Sequence, residues 1–152
     1  MPKLNLEYLK DYLWLSELEL ALLPLEDIRT DCTEMTMIIS EMLFRNGVPH
    51  RCMKGVVQHV PTGNFVVPHF WIELTPEIMI DLRLRMWLGD EDDVPHGIFD
   101  KSLEAGCVVY KGEETEFKRL SDAELCIVSD GWFNRLRLPP VMEVRDNKGS
   151  VC

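Results

Sequence analysis

The sequence predicts an α+β fold, and three observations carry that expectation. Leucines recur at roughly helical spacing over residues 4–23, and Met35, Ile38, Ile39, Met42 and Leu43 repeat at i, i+3, i+4, i+7 and i+8. Between residues 51 and 82 the pattern changes to short runs rich in β-branched and aromatic residues, divided by Pro61-Thr62-Gly63-Asn64 and Thr75-Pro76-Glu77. Helices that flank a block of hairpin-connected strands, rather than alternating with them, imply helices packed on an antiparallel sheet.

A chain of 152 residues, 46% of them hydrophobic, is long enough for one domain with its own core, so a single domain over residues 1–152 is expected. Within it, residues 1–29 read as N-terminal helices, 30–87 as the core that carries the chemistry, 88–138 as a loop, strands and a helix, and 139–152 as a frayed tail. With 26 acidic against 16 basic residues, the formal charge of -10 repels phosphate backbones and anionic bilayers, which argues against nucleic acid and membrane partners. No apolar run approaches the roughly 18 residues of a membrane span. Met1-Pro2-Lys3 does not open a secretory signal, and the five cysteines are scattered and odd in number, so reduced thiols and a cytoplasmic setting are expected.

Taken in order, residues 4–23 read as one or two helices that bury Leu6, Leu9, Leu13, Leu20 and Leu23, with Pro24 as their stop. Tyr12 and Trp14 read as core or groove-wall residues. The next helix begins at Thr30 or Asp31, whose side chains can accept first-turn N–H groups, and Glu34 lies at capping-box spacing from Asp31. Asn46-Gly47 ends it, and Pro49 cannot continue it. Residues 51–60 form a strand, residues 65–67 its hairpin partner, and residues 69–74 and 78–82 two more strands. Alternation puts His69, Trp71 and Glu73 on one face, and Phe70, Ile72 and Leu74 on the other. Residues 89–97 read as an exposed acidic loop rimming the site, followed by a strand at 107–110, a turn at Lys111-Gly112-Glu113, a strand at 117–120 and a helix capped by Ser121 with Glu124 at N3.

Three side chains in this layout have the chemistry of an activated nucleophile. Cys32 falls in the first turn of its helix, where backbone N–H groups favour a thiolate. His69, turned from the aliphatic row, suits a base, and Asp81, a carboxylate among aliphatics, needs a partner that His69 can be. Cys32, His69 and Asp81 are therefore the candidate catalytic residues, and this reading calls for no cofactor and no metal. A second reading gathers His50, Cys52, His59 and His69, with Cys32, around zinc, although no CxxC or HExxH pattern accompanies them. A third is a binding module without activity. His96 reads as a loop histidine, on the substrate side or simply exposed.

Asp31-Cys32 at a helix start, Gly47-Val48-Pro49-His50-Arg51, His69-Phe70-Trp71-Ile72-Glu73 and Ile80-Asp81 together resemble the core of the transglutaminase-like branch of papain-fold cysteine enzymes. The arylamine N-acetyltransferases are similar in the same ordered triad. The resemblance implies a nucleophile helix packed on an antiparallel sheet, with His69 taking the Cys32 proton and Asp81 fixing the imidazole tautomer. It implies a thioester at Cys32, resolved by water in a protease, amidase or glutamine deamidase, or by an amine in an acyltransferase, on a peptide or protein substrate. The Cys32 backbone N–H would form half of an oxyanion hole, with Trp14 or Gln58 as second donor, and Arg83 or Arg85 would orient an acidic substrate.

Overall fold

The computed structural model describes residues 3–4, 11–104, 106–141 and 143–144. In chain order they form β1 (Lys3–Leu4), α1 (Tyr12–Leu22), a 3-10 helix (Leu23–Asp27), α2 (Cys32–Arg45), β2 (Arg51–His59), β3 (Phe65–Glu73), β4 (Ile78–Asp81), α3 (Leu84–Leu88), β5 (Gly97–Asp100), β6 (Val108–Thr115), α4 (Asp122–Val128) and β7 (Glu143–Val144). The architecture is α+β: five antiparallel strands stand in the order β5-β4-β3-β2-β6, with the helices grouped around them.

Helix α1 starts where the Asp11 side chain accepts the Leu13 N–H at 3.0 Å. Its buried stripe is Trp14, Leu15, Leu18 and Leu22, whereas the predicted core positions Leu13 and Leu20 are 70% and 71% exposed. Counting a single period from residue 4 set the phase wrongly, because the helix begins only at Tyr12 and Lys3–Leu4 is a strand paired with β7. Leu6 and Leu9 lie outside the described residues. Tyr12 is an exposed residue bonded to Asp100, not a core residue. Pro24, expected as a stop, sits in the first turn of the 3-10 helix, where its missing N–H costs nothing.

Helix α2 follows its sequence signals closely. Asp31 is the N-cap, Met35, Ile38, Ile39, Met42 and Leu43 are all buried, and the chain leaves through Asn46 and a left-handed Gly47. Their stripe joins Ile72, Leu74, Ile78 and Ile80 in one core. The opposite sheet face is also covered, by a second core of Met53, Val57, Trp71, Met79, Leu84, Val94 and Phe99. The alternation predicted along β3 therefore holds, but neither face meets solvent at its C-terminal half.

Four further differences are informative. The predicted runs at 65–67 and 69–74 are one strand, and the register with β2 shifts between Gly55 and Val57, opposite Pro68, which has no N–H for the ladder. The predicted turn at Lys111-Gly112-Glu113 is the middle of continuous β6, and no strand forms at 117–120. Gly112 is there for space: a Cβ would come within 2.4 Å of the Lys54 carbonyl oxygen and 2.8 Å of the Trp71 ring. The chain after Asp81 is not a strand but turns into α3, and β5 begins at Gly97, the last residue of the predicted loop, where no strand was expected. Finally, the Pro140 carbonyl accepts the Trp14 indole N–H at 3.0 Å and residues 143–144 form β7, so this part of the expected tail is ordered. Residues 142 and 145–152 lie outside the described residues. Among the described residues no helix is long and apolar enough to cross a membrane.

Candidate active site

Cys32 is the first residue of α2, and its position is set by a turn and a clamp. The Asp31 carboxylate is folded back onto the Glu34 N–H at 2.9 Å, as the capping reading expected. Behind it, the buried Arg83 guanidinium donates to the backbone carbonyls of Glu26 (2.9 Å), Thr30 (2.7 Å) and Ile28, and to that of Leu82 (3.3 Å). A buried charge needs this many acceptors. Arg83 lies two residues after Asp81, so one side chain ties the segment that leads into Cys32 to the end of β4.

His69, on β3, is fully buried, and its Nε2 lies 2.6 Å from Asp81 Oδ2 at the end of β4. The antiparallel ladder that pairs Ile72 with Ile80 brings the two strands side by side, and the residues meet at their far ends. Asp81 is bound on every side. Its Oδ1 accepts the N–H groups of Arg83 and Leu84, each at 2.9 Å, and its Oδ2 also accepts the Tyr110 hydroxyl at 2.9 Å. The same Oδ1 bonds start α3, which explains why the predicted strand ends at Asp81. Trp71 completes the surround, stacked at 6.1 Å on the His69 ring and edge-on at 4.9 Å to Tyr110.

With Nε2 committed to Asp81, Nδ1 is the ring nitrogen available to the thiol; it is buried and makes no hydrogen bond among the described residues. Burial disfavours the imidazolium, but the charge and hydrogen bond of Asp81, aided by Cys32, outweigh it and raise the His69 pKa to about 9. The thiol responds in kind. Burial pushes it up, yet the hydrogen-bonding and charge interaction with His69, with help from the Phe70 backbone, leaves it lowered. Asp31 opposes this least of all, because its carboxylate serves as the cap. The two shifts run in the directions that favour a thiolate beside an imidazolium, and both groups lie deep: Cys32 is 5% exposed and His69 0%.

The other predicted groups are dispersed. Arg83 is a backbone clamp rather than a substrate arginine, and Arg85 donates to the Val94 carbonyl at 2.8 Å. Trp14 donates to Pro140, and Gln58 is solvent-exposed on β2, so neither is placed as an oxyanion donor. His59 is held by Thr62 and Asp93, His50 by Ser40 and Val48, and His96 by Glu26. No group of three or more His, Cys, Asp or Glu among the described residues could hold a metal ion, so the zinc set of His50, Cys52, His59, His69 and Cys32 does not assemble. Cys32, Cys52, Cys107 and Cys126 are free thiols.

Two members of the site have roles that the sequence does not signal. Arg83 reads as a substrate-orienting or surface arginine and not as a clamp on backbone carbonyls. Tyr110 is 29 residues beyond Asp81 and belongs to a strand that pairs with β2 instead of β4. No protein-family model matches the chain, and neither does any curated protein or solved structure.

Proposed function

We propose that the chain is a cysteine-dependent acyl-transfer enzyme of the transglutaminase-like, papain-related type, acting on a peptide or amide. The observation that carries this reading is the buried His69–Asp81 pair at 2.6 Å, with the remaining ring nitrogen left to a thiol of lowered pKa. In the mechanism, Cys32 Sγ attacks the acyl carbon while the proton rests on His69 Nδ1. Collapse of the tetrahedral adduct breaks the C–N bond, and the amine leaves with that proton. The N–H groups of Cys32 and Thr33, which have no intrahelical acceptor by helix geometry, offer donors for the oxyanion. The thioester is then resolved by water, which gives a protease, amidase or glutamine deamidase, or by an amine, which gives a transferase. A thiol kept reactive needs reducing surroundings, and the cytoplasm is the setting proposed.

A second reading, a catalytically silent binding module on the same scaffold, is favoured by the depth of the pair, with His69 wholly buried. Labelling separates the two. An enzyme alkylates with iodoacetamide faster at Cys32 than at Cys52, loses that advantage in His69→Ala, and yields an acyl adduct on Cys32 by intact mass after exposure to glutamine-bearing peptides. Cys32→Ala is expected to abolish the adduct while shifting stability by less than about 1 kcal/mol, since it removes one sulfur atom beside a charge. Equal labelling of the two thiols with no adduct sinks the enzymatic reading.

A further inference from the structure

Helix α2 carries another nucleophile-type side chain, Ser40, eight residues beyond Cys32 and thus about 12 Å along the axis. Its Oγ lies 2.7 Å from His50 Nε2, and Cys52 Sγ lies 3.1 Å from the same oxygen. The proton positions follow from the partners. The Val48 carbonyl, 2.8 Å from His50 Nδ1, can only accept, so Nδ1 bears the hydrogen. Burial lowers the proton affinity of this ring, leaving it neutral with a lone pair on Nε2. The Ser40 hydroxyl must then donate to Nε2, while Cys52 donates its S–H to Ser40 Oγ. The result is a serine paired with an imidazole of fixed tautomer. Ser40 and His50 are half-buried and, with Cys52, line a cavity of about 300 Å³ that is also walled by Phe44, Phe117 and Arg119.

We infer that Ser40 is a second nucleophile, with His50 as its base, and that this cavity takes a small activated carboxylic ester. Ser40 Oγ attacks the ester carbon as its proton passes to His50 Nε2; the bond to the leaving oxygen breaks, and that oxygen departs with the proton. Water, deprotonated by the same Nε2, then cleaves the acyl-serine and restores the hydroxyl. The acyl-serine is a less activated ester than the probe, so its hydrolysis is slower than its formation and acyl-Ser40 accumulates.

The test uses the full-length chain carrying Cys32→Ala, so that its outcome does not depend on the chemistry of the first site. The probes are p-nitrophenyl acetate and a fluorophosphonate, with peptide mapping of the adduct. The expected result is modification at Ser40, slowed about 100-fold or more by His50→Gln, which keeps an acceptor for the hydroxyl but supplies no base. Thermal melting verifies that His50→Gln is folded, and if it is not, Ser40→Ala must abolish the adduct in a folded protein. An unmodified Ser40 in folded protein, or labelling no faster than at Ser121 or unchanged by a folded His50→Gln, overturns the inference.

Discussion

Two sulfur–imidazole clusters lean on the same helix, and they differ in charge. Cys32 meets His69 at the start of α2, and Cys52 meets His50 through Ser40 two turns later. Both thiols are buried, and burial by itself pushes each one up. The Cys52 thiol stays raised, because a neutral serine hydroxyl offsets little of the desolvation and the charge of Glu114 adds to it. The Cys32 thiol ends lowered because its imidazole is charged. The difference traces back one step further, to what binds the far ring nitrogen. Asp81 brings a full negative charge to His69, whereas the Val48 carbonyl accepts the same kind of hydrogen bond with only a dipole to offset desolvation. A buried thiol therefore has its pKa lowered by way of a carboxylate it never touches.

The strongest way to break this contrast is Asp81→Asn, which keeps the shape and an oxygen for the Arg83 and Leu84 N–H groups but removes the charge. His69 should fall below neutrality, Cys32 should rise, and alkylation of Cys32 at pH 7 should drop about 100-fold, toward the rate of Cys52. The pH dependence of iodoacetamide labelling reads this directly. Unchanged reactivity would mean that the carboxylate does not set the thiol's charge.

The coupled pair also shapes how stability varies with pH. His69 has a folded pKa of about 9 against an ordinary 6.5, so its own contribution is complete below about 6.5 and is lost as pH rises through 9, while the lowered Cys32 thiol contributes in the opposite sense, gaining as pH rises. In Cys32→Ala, where no thiol offsets the imidazole, the unfolding free energy from urea titration should decline across that window by an amount on the order of 2–3 kcal/mol, and adding His69→Gln should flatten the decline. A decline that persists in the variant would point to another group.

The comparison can be sharpened from the other side by giving the second cluster a carboxylate. Ser40→Asp puts a charge against His50 Nε2, and the His50 pKa should climb by about 1–2 units in an NMR titration. The smallest effect expected is that of Tyr110→Phe. It removes one of two donors to Asp81 Oδ2, costing about 1 kcal/mol in stability while leaving the oxygen more fully to His69, whose pKa should rise further.

Local signals were read correctly where the chain obeys them alone. Asp31 and Glu34 mark the start of α2, Ser121 and Glu124 form the capping box they promise, and the apolar stripe of α2 is buried throughout. Where a neighbour decides, reading failed. Gly112 resembles a turn residue until Lys54 and Trp71 are seen to crowd it, and α3 and β5 depend on bonds from Asp81 and Glu19 that join distant segments. The partnership of His69 and Asp81 was legible because a carboxylate among aliphatics demands one; the role of Tyr110 was not, because nothing in its own strand calls for it.

By itself the sequence determined where α2 begins, which of its faces is buried, and the order in which thiol, imidazole and carboxylate arrive, since caps and periodicity act within a few residues. Only the tertiary structure decided that Asp81 reaches His69, that Tyr110 and Arg83 hold the surround in place, and that one thiol is lowered in pKa while its neighbour is raised. Ionisation of a buried group is settled by whatever charge lies within a few ångströms, and here that charge comes from another strand.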